Sequence, residues 1–593
     1  MSLLFNPRTY DPSFTDEQTS AKLRALVGFF EDKGKAQLLA DYDDASWYDD
    51  FLTFVRDNEL FAHFGTPADA GAAVGRADAT WDTATINELN EILGFYSLAH
   101  WYAWQVTVLG LGPVWTSANE GARTLVAELL RDGHIFGFGL SEQHHGADIY
   151  STDMILNRSG DGWTASGPKY YIGNGNVAGR LSVFGRFADD DPEYPGEYVF
   201  FLVDTQHADY ELIKNVVHSQ MYVAAFELDG YPVSREDILH TGQAAFDAAL
   251  ATVNVGKVNL GWASIGICEH SFYEAITHAN NRVLYGNRVT DFPHVRRMLA
   301  DAYARLIGMK IFAARSADYF RSADADDRRF LLFNPITKAK VTSEGETVIN
   351  LLWDVVAARG FEKDTYFHRA ASEIRALPKL EGTVHVNIAL VLKFMPAYLG
   401  APHGMAAEVP EIPVRQDSAD DEYLFRQGPA RGLSKIGFSD WRPTFERYRH
   451  LPNVAVFMEQ LDAFTEFVMT APPSKDQQKD LDYLQVLGQL FAQIVYGQLI
   501  LESAGLALEG APGDARPSSV SDLSTLTEAH LDRMFNVFVR DFNDQATALY
   551  GQASATPEQR SGALGLLREP VTDHEAESSF LKEVLSYDGV FEG

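Results

Sequence analysis

The chain of 593 residues is too long for one ordinary core, and 46% hydrophobic with 22% charged residues is a normal globular balance. A formal charge of −33 repels phosphate backbones and anionic lipid surfaces, which argues against nucleic-acid binding. The single cysteine, Cys268, excludes disulfide frameworks and multi-cysteine metal centres, and no metal site is expected.

Residues 1–133 read as a helical domain. Apolar residues recur at helical spacing through Leu23–Phe30, Trp47–Val55 and Glu88–Trp104. The start, Met1-Ser2-Leu3-Leu4-Phe5-Asn6-Pro7, carries no basic segment ahead of an apolar one, so a cytoplasmic protein is expected. The texture changes at Gly133. Residues 134–240 are rich in Gly, aromatic and β-branched residues, with strand-like runs at Trp163–Gly167, Leu181–Phe187, Tyr198–Val203 and Ala224–Leu228, and form a small β domain. Helical periodicity returns over 241–400, in segments 247–285, 293–322, 335–360 and 381–395. A linker over 401–439 contains the proline-bearing stretch Pro402–Pro413, and a last helical domain fills 440–593, broken at Ala471–Ser474 and Gly510–Pro517. Its most apolar run, Leu481–Leu508, carries Gln485, Gln489, Gln493 and Gln498. The first three recur at i+4 and make one polar stripe, which suits a bundle helix better than a membrane span. The fold class is therefore α+β and mostly helical.

Some motifs dissolve on inspection. Gly173-Asn-Gly175-Asn-Val-Ala178 fits a dinucleotide fingerprint, yet the strand-like Leu181–Phe184 follows where that fingerprint needs a helix. His144-His145 lacks cysteine or carboxylate partners at metal-ligand spacing, and reads as a loop pair touching solvent or ligand. Three stretches carry more. They are Gly139-Leu-Ser-Glu-Gln-His-His-Gly-Ala-Asp148, Gly167-Pro-Lys-Tyr-Tyr-Ile-Gly-Asn-Gly175, and Glu381-Gly-Thr383 after a helical run.

Together these resemble the acyl-CoA dehydrogenase and oxidase superfamily of flavoproteins, whose motifs run T/S-E-P-x-x-G-S-D, G-x-K-x-W-I-T-N-G and E-G-T. Leu239, Phe246 and Lys257 fall at the family's intervals. Arg282-Val-Leu-Tyr-Gly286 is similar to R-x-x-F-G, and Gly360 to Glu381 keeps the spacing to the base. The resemblance covers roughly 1–400 and implies an N-terminal helical domain, a central β domain and a four-helix bundle, here with an extra C-terminal helical domain.

The resemblance implies FAD and an acyl-CoA substrate. Glu381 would take the α-proton while the β-hydrogen leaves as hydride to the flavin. Some relatives carry the base on an earlier helix, where Gly256 stands in this chain. Leu140, Ser141, Tyr171, Ile172, Gly173, Arg282 and Thr383 would contact the cofactor, Tyr171 covering the ring and Arg282 reaching the pyrophosphate across a dimer interface. Ala147, Lys257 and Gly382 would line the substrate. Departures accompany these matches. Gln143 replaces a Pro, Ala147 a Ser and Gly173 a Thr near flavin N5, while Asp354-Val-Val-Ala357-Ala358 replaces the Q-x-x-G-G turn beneath the adenine. A homodimer passing electrons to an electron-transfer flavoprotein is expected. An oxidase, suggested by Gly173 and the C-terminal helices, and a non-catalytic flavin-binding scaffold are the alternatives.

Overall fold

The computed structural model describes residues 3–12, 16–76, 78, 79, 81–146, 148–400, 421–427, 433, 436–508 and 523–591. The stretch 402–413, the break at 510–517 and Ala147 lie outside them. The chain forms two compact units. One comprises Asp11–Asn259 with Asp420–Arg431, the other Met1–Tyr10, Leu260–Ala419 and Gly432–Gly593.

The first unit begins with helices α1 (Glu17–Asp43), α2 (Asp49–Asp57), α3 (Leu60–Gly65), α4 (Ala68–Ala73), α5 (Thr83–Tyr96), α6 (Leu98–Trp115) and α7 (Glu120–Arg131). Their starts follow ordinary capping chemistry: the side chains of Asp16, Asp82 and Asn119 accept the first free N–H groups of α1, α5 and α7. The strands are β1 (Phe136–Gly139), β2 (Ile155–Ser159), β3 (Gly162–Gly173), β4 (Arg180–Phe187), β5 (Tyr198–Val203), β6 (Tyr210–Asn215), β7 (Val223–Val233) and β8 (Ile238–Thr241). They form one mixed sheet in the order β6-β7-β3-β2-β4-β5-β8, with β1 parallel to β4. Met154, Leu156, Trp163, Leu181, Phe187, Val199 and Phe226 build its core.

Helix α6 lies against this sheet at near-backbone distance. A Cβ on Gly110 would come within 2.7 Å of the Gly137 backbone, and one on Gly137 within 2.7 Å of the Gly173 carbonyl. Only glycine permits that approach. Asn174 fastens the layers by donating to the carbonyls of Ala103 (3.1 Å) and Phe136 (2.9 Å).

Helix α8 (Gly242–Asn281) leaves the sheet and continues into the second unit, so the junction falls inside a helix at Asn259/Leu260. Periodicity marks where strands end near 240. It does not mark which neighbours a long helix packs on. The second unit adds a short hairpin, β9 (Val283–Leu284) and β10 (Asn287–Arg288), then α9 (Pro293–Arg321), α10 (Phe330–Ile336), α11 (Thr342–Val356), α12 (Phe367–Ile374), α13 (Val384–Val391) and α14 (Met395–Leu399). A π-helical turn, Thr337–Val341, joins α10 to α11.

The C-terminal helices α15 (Arg442–Glu446), α16 (Pro452–Thr470), α17 (Leu481–Leu508), α18 (Glu528–Gly551), α19 (Pro557–Gly565) and α20 (His574–Leu585) belong to the same unit. Ion pairs tie them to the bundle: Arg305 of α9 bridges Glu344 of α11 and Asp541 of α18, each at 2.6 Å, and Arg540 meets Asp301 at 2.7 Å. Helix α17 is long and apolar enough to cross a bilayer, but 78% of its apolar window is buried inside the protein.

Candidate active site

In the sheet unit, the residues after β1 form a strap over the end of β3. Ser141 accepts a hydrogen bond from the Tyr170 N–H at 3.0 Å, and Lys169 Nζ donates to the Leu140 carbonyl at 3.2 Å. The strap's anchor is the pair Lys169–Glu142, 2.6 Å apart, with side chains 0% and 2% exposed. Thr152 Oγ1 (2.6 Å) and the Asp153 N–H (2.7 Å) also donate to Glu142. Burial opposes the Glu142 charge, but the Lys169 ammonium and these donors outweigh it and hold the carboxyl below its usual range. Burial pushes the Lys169 ammonium down to about 8 despite the attraction of Glu142.

Next to the strap, β3 carries a bulge opposite β7 between Tyr170 and Ile172. The bulged residue, Tyr171, has φ +66° and is 57% exposed. A bulge re-aims one side chain without breaking the strand, and here it turns an aromatic face outward beside half-exposed Leu140 and Ser141. Ile172 then points inward to the sheet core, so any cofactor contact at this position is limited to main-chain atoms. Gly173 is walled by α6. A Cβ there would meet Val106 Cγ2 at 2.6 Å and Tyr102 Oη at 2.8 Å.

The expectation that His145 lacks carboxylate partners is corrected. Folding brings its Nε2 to 3.3 Å from Asp153 Oδ2, and His145, Asp153 and Glu142 present ligand atoms within 4.8 Å of one another. The Glu142 oxygens are already taken by Lys169, Thr152 and Asp153, so this cluster serves as part of the strap's polar network.

Behind Gly173 a buried chain of amides links three helices. Trp101 Nε1 donates to Asn90 (2.8 Å), Asn90 Nδ2 to Asn259 (2.9 Å), Asn259 Nδ2 to Gln105 (2.8 Å), and Gln105 Nε2 to the Gly256 carbonyl (3.2 Å). Sequence reading missed this network, because isolated amides in apolar helices read as helix surface. Lys257, expected at the CoA, is mostly buried on α8.

In the helical unit, Glu381 and Gly382 form a turn with consecutive left-handed φ values, +52° and +82°. Thr383 caps α13, its hydroxyl accepting the Val386 N–H at 3.4 Å. Glu381 and Gly382 are part-exposed. Asn387 Nδ2 donates to the Gly382 and Thr383 carbonyls (3.1 and 3.0 Å), and Lys338 Nζ to those of Pro378 and Gly382. Arg282, just past α8, is exposed at the foot of the β9–β10 hairpin, whose tip residue Tyr285 is 94% exposed. The turn matching the family's adenine site has Ala357 at φ +60°, ψ −139°.

The structure thus brings Leu140, Ser141 and Tyr171 together at the end of β3, with Gly173 two residues on and buried against α6. Glu381, Gly382 and Thr383 form one turn of the helical unit, with Arg282 at that unit's surface.

Residues 246–395 match the family model for the acyl-CoA dehydrogenase C-terminal domain. A probable acyl-CoA dehydrogenase of Mycobacterium leprae is 24% identical over 315 residues, 51% of this chain and 76% of that protein. The short-chain specific acyl-CoA dehydrogenase of Megasphaera elsdenii is 24% identical over 46% of this chain and 72% of its own. Among solved structures, an acyl-CoA dehydrogenase complexed with FAD from Bacillus anthracis superposes with a TM-score of 0.71, covering 98% of this chain and 97% of that one at 14% identity. That likeness shows a shared fold that includes the C-terminal helices. The matching domain over 246–395, the related sequences and the shared fold agree in their likeness to acyl-CoA dehydrogenases.

Proposed function

We propose that this protein is an FAD-dependent dehydrogenase of acyl-CoA thioesters, with Glu381 as the base. The observation that carries the reading is the Glu381–Gly382 turn. A non-glycine residue held in the left-handed region costs about 1–3 kcal/mol and persists where its surroundings over-determine it. Two side chains, Lys338 and Asn387, do so here. The result is a backbone held in one shape under a part-exposed Glu381, a carboxylate suited to removing a proton α to a thioester carbonyl. Gly382 beside it leaves room for a substrate chain.

The sheet unit fits the isoalloxazine end of FAD. Tyr171 offers an exposed aromatic face, and the Leu140–Ser141 strap offers polar main-chain groups and a hydroxyl beside it. Arg282 is free in space to meet a diphosphate, as a charge-assisted contact. The adenine end departs from the family, since Ala357 and Ala358 stand where glycines are expected. When bound, FAD supplies the hydride acceptor for the substrate's β-carbon. Glu381 would take the α-proton, and Gly173 would keep the wall beside the ring free of a side chain.

A homodimer, an electron-transfer flavoprotein as acceptor and a cytoplasmic setting complete the proposal. An acyl-CoA oxidase is the second reading, favoured by Gly173, where the family's hydroxyl is missing. The Glu381→Gln variant tests the first. It should bind FAD normally and fail to reduce it with acyl-CoA; normal reduction overturns the assignment of the base.

A further inference from the structure

We propose that Lys338 is a positioning residue for the reaction at Glu381, its buried ammonium holding in place the turn that carries the base. The proposal rests on the reading of Glu381 as proton acceptor. Lys338 lies in the π-helical turn between α10 and α11, and its side chain is 0% exposed. A π turn adds a residue to a helix at a cost in hydrogen-bond geometry, and such turns are frequent at functional sites. Here the turn carries a buried ammonium. It donates to Pro378 O at 2.5 Å and to Gly382 O.

Those carbonyls stand on either side of Lys379, Leu380 and Glu381, so one cation closes the segment on itself. Asn387 Nδ2 reinforces the Gly382 end at 3.1 Å. Closure matters because Glu381 and Gly382 are both left-handed. A turn strained in this way opens when its carbonyls are released. Burying an ammonium is itself costly, and an apolar side chain of the same length would fill the space at less expense. The lysine therefore acts on the turn and not on packing.

The test compares Lys338→Met, Lys338→Gln and Lys338→Arg with the parent, each as full-length FAD-loaded protein. Bound flavin per chain, kcat and KM are measured with butanoyl-, octanoyl- and hexadecanoyl-CoA. Lys338→Met should keep its flavin and its KM and lose roughly 10-fold or more in kcat. Lys338→Arg, which keeps a donor to the two carbonyls, should recover part of kcat. A Lys338→Met enzyme with kcat within about 2-fold of the parent, or one whose loss lies in KM or bound flavin and not in kcat, overturns the proposal. If Lys338→Met does not accumulate folded, Lys338→Gln decides by the same split: a fall in kcat at unchanged KM supports the proposal, an unchanged kcat overturns it. Glu381→Gln is run alongside. If it turns over normally, the base assignment has failed; if it is inactive while Lys338→Met is normal, the Lys338 proposal alone has failed.

Discussion

Removing the Glu142 carboxylate should do more damage than removing both members of its pair. The Glu142→Leu variant leaves the Lys169 ammonium fully buried, with the Leu140 carbonyl (3.2 Å) and Thr152 Oγ1 (3.5 Å) as partners. An uncompensated buried charge costs about 3–5 kcal/mol. Losing the acceptor for Thr152 and the Asp153 N–H adds about 1 kcal/mol for each donor left unsatisfied. Lys169→Met is milder, about 2–3 kcal/mol, because those two donors still satisfy the carboxylate it leaves behind. The double variant, Glu142→Leu with Lys169→Met, replaces a buried ion pair by apolar groups of similar size. Such exchanges are often neutral, so it should lie within about 2 kcal/mol of the parent.

A chain of two units does not unfold in one step, so the readout must be local. Amide hydrogen exchange over β3, followed by mass spectrometry, reports the opening free energy where the pair sits. If the double variant costs the sum of the singles, the two groups are not coupled and the account of the strap is wrong. The same experiment carries a functional arm. Because Lys169 holds the Leu140 carbonyl, Glu142→Leu should also weaken FAD retention during gel filtration.

Further expectations follow from single positions. Glu142 is depressed below its ordinary 4.5 in the folded protein, so its stabilisation is complete above that value and is lost as pH falls through the lower folded value. Protection of β3 should therefore hold down to about pH 4.5 and fall below it, with a shallower fall in Glu142→Gln. Gly173→Thr should fold poorly or lose flavin, because its Cβ meets Tyr102 and Val106; adding Tyr102→Ala and Val106→Ala together should recover more than either alone, and no recovery would mean the conflict lies elsewhere. Ala357→Gly should raise stability by about 1 kcal/mol, read as a higher urea midpoint for the helical unit, since glycine relieves a conformation that alanine resists. Arg282→Ala should lower FAD affinity while leaving the thermal midpoint of the flavin-free chain unchanged.

The legible parts of this protein were those where one pattern dominates locally. Alternating aromatic and β-branched residues announce β4 and β5, and long apolar periodicity announces α8, α9 and α17. Strand β1 was harder, because Phe136-Gly-Phe-Gly139 owes its strand to close packing under α6 and not to propensity. The Glu381-Gly382-Thr383 turn could be read as a helix start, which Thr383 confirms as the cap. Its left-handed geometry is not encoded in three letters. Lys338 was invisible for a physical reason: a lysine in a helical pattern reads as solvated, and its burial depends on carbonyls some 40 residues further along the chain. Ile172 shows the opposite failure, since a motif position says nothing about which face of a strand a bulge will choose.

The central claim is that this chain dehydrogenates acyl-CoA thioesters with Glu381 as base. The most direct test is anaerobic mixing of the FAD-loaded protein with acyl-CoAs of graded length, while following the flavin band near about 450 nm. The account predicts bleaching by one chain-length class in the parent and none in Glu381→Gln, with slow return of colour on admitting air; fast return would favour the oxidase reading. Bound FAD that no acyl-CoA bleaches would contradict the account.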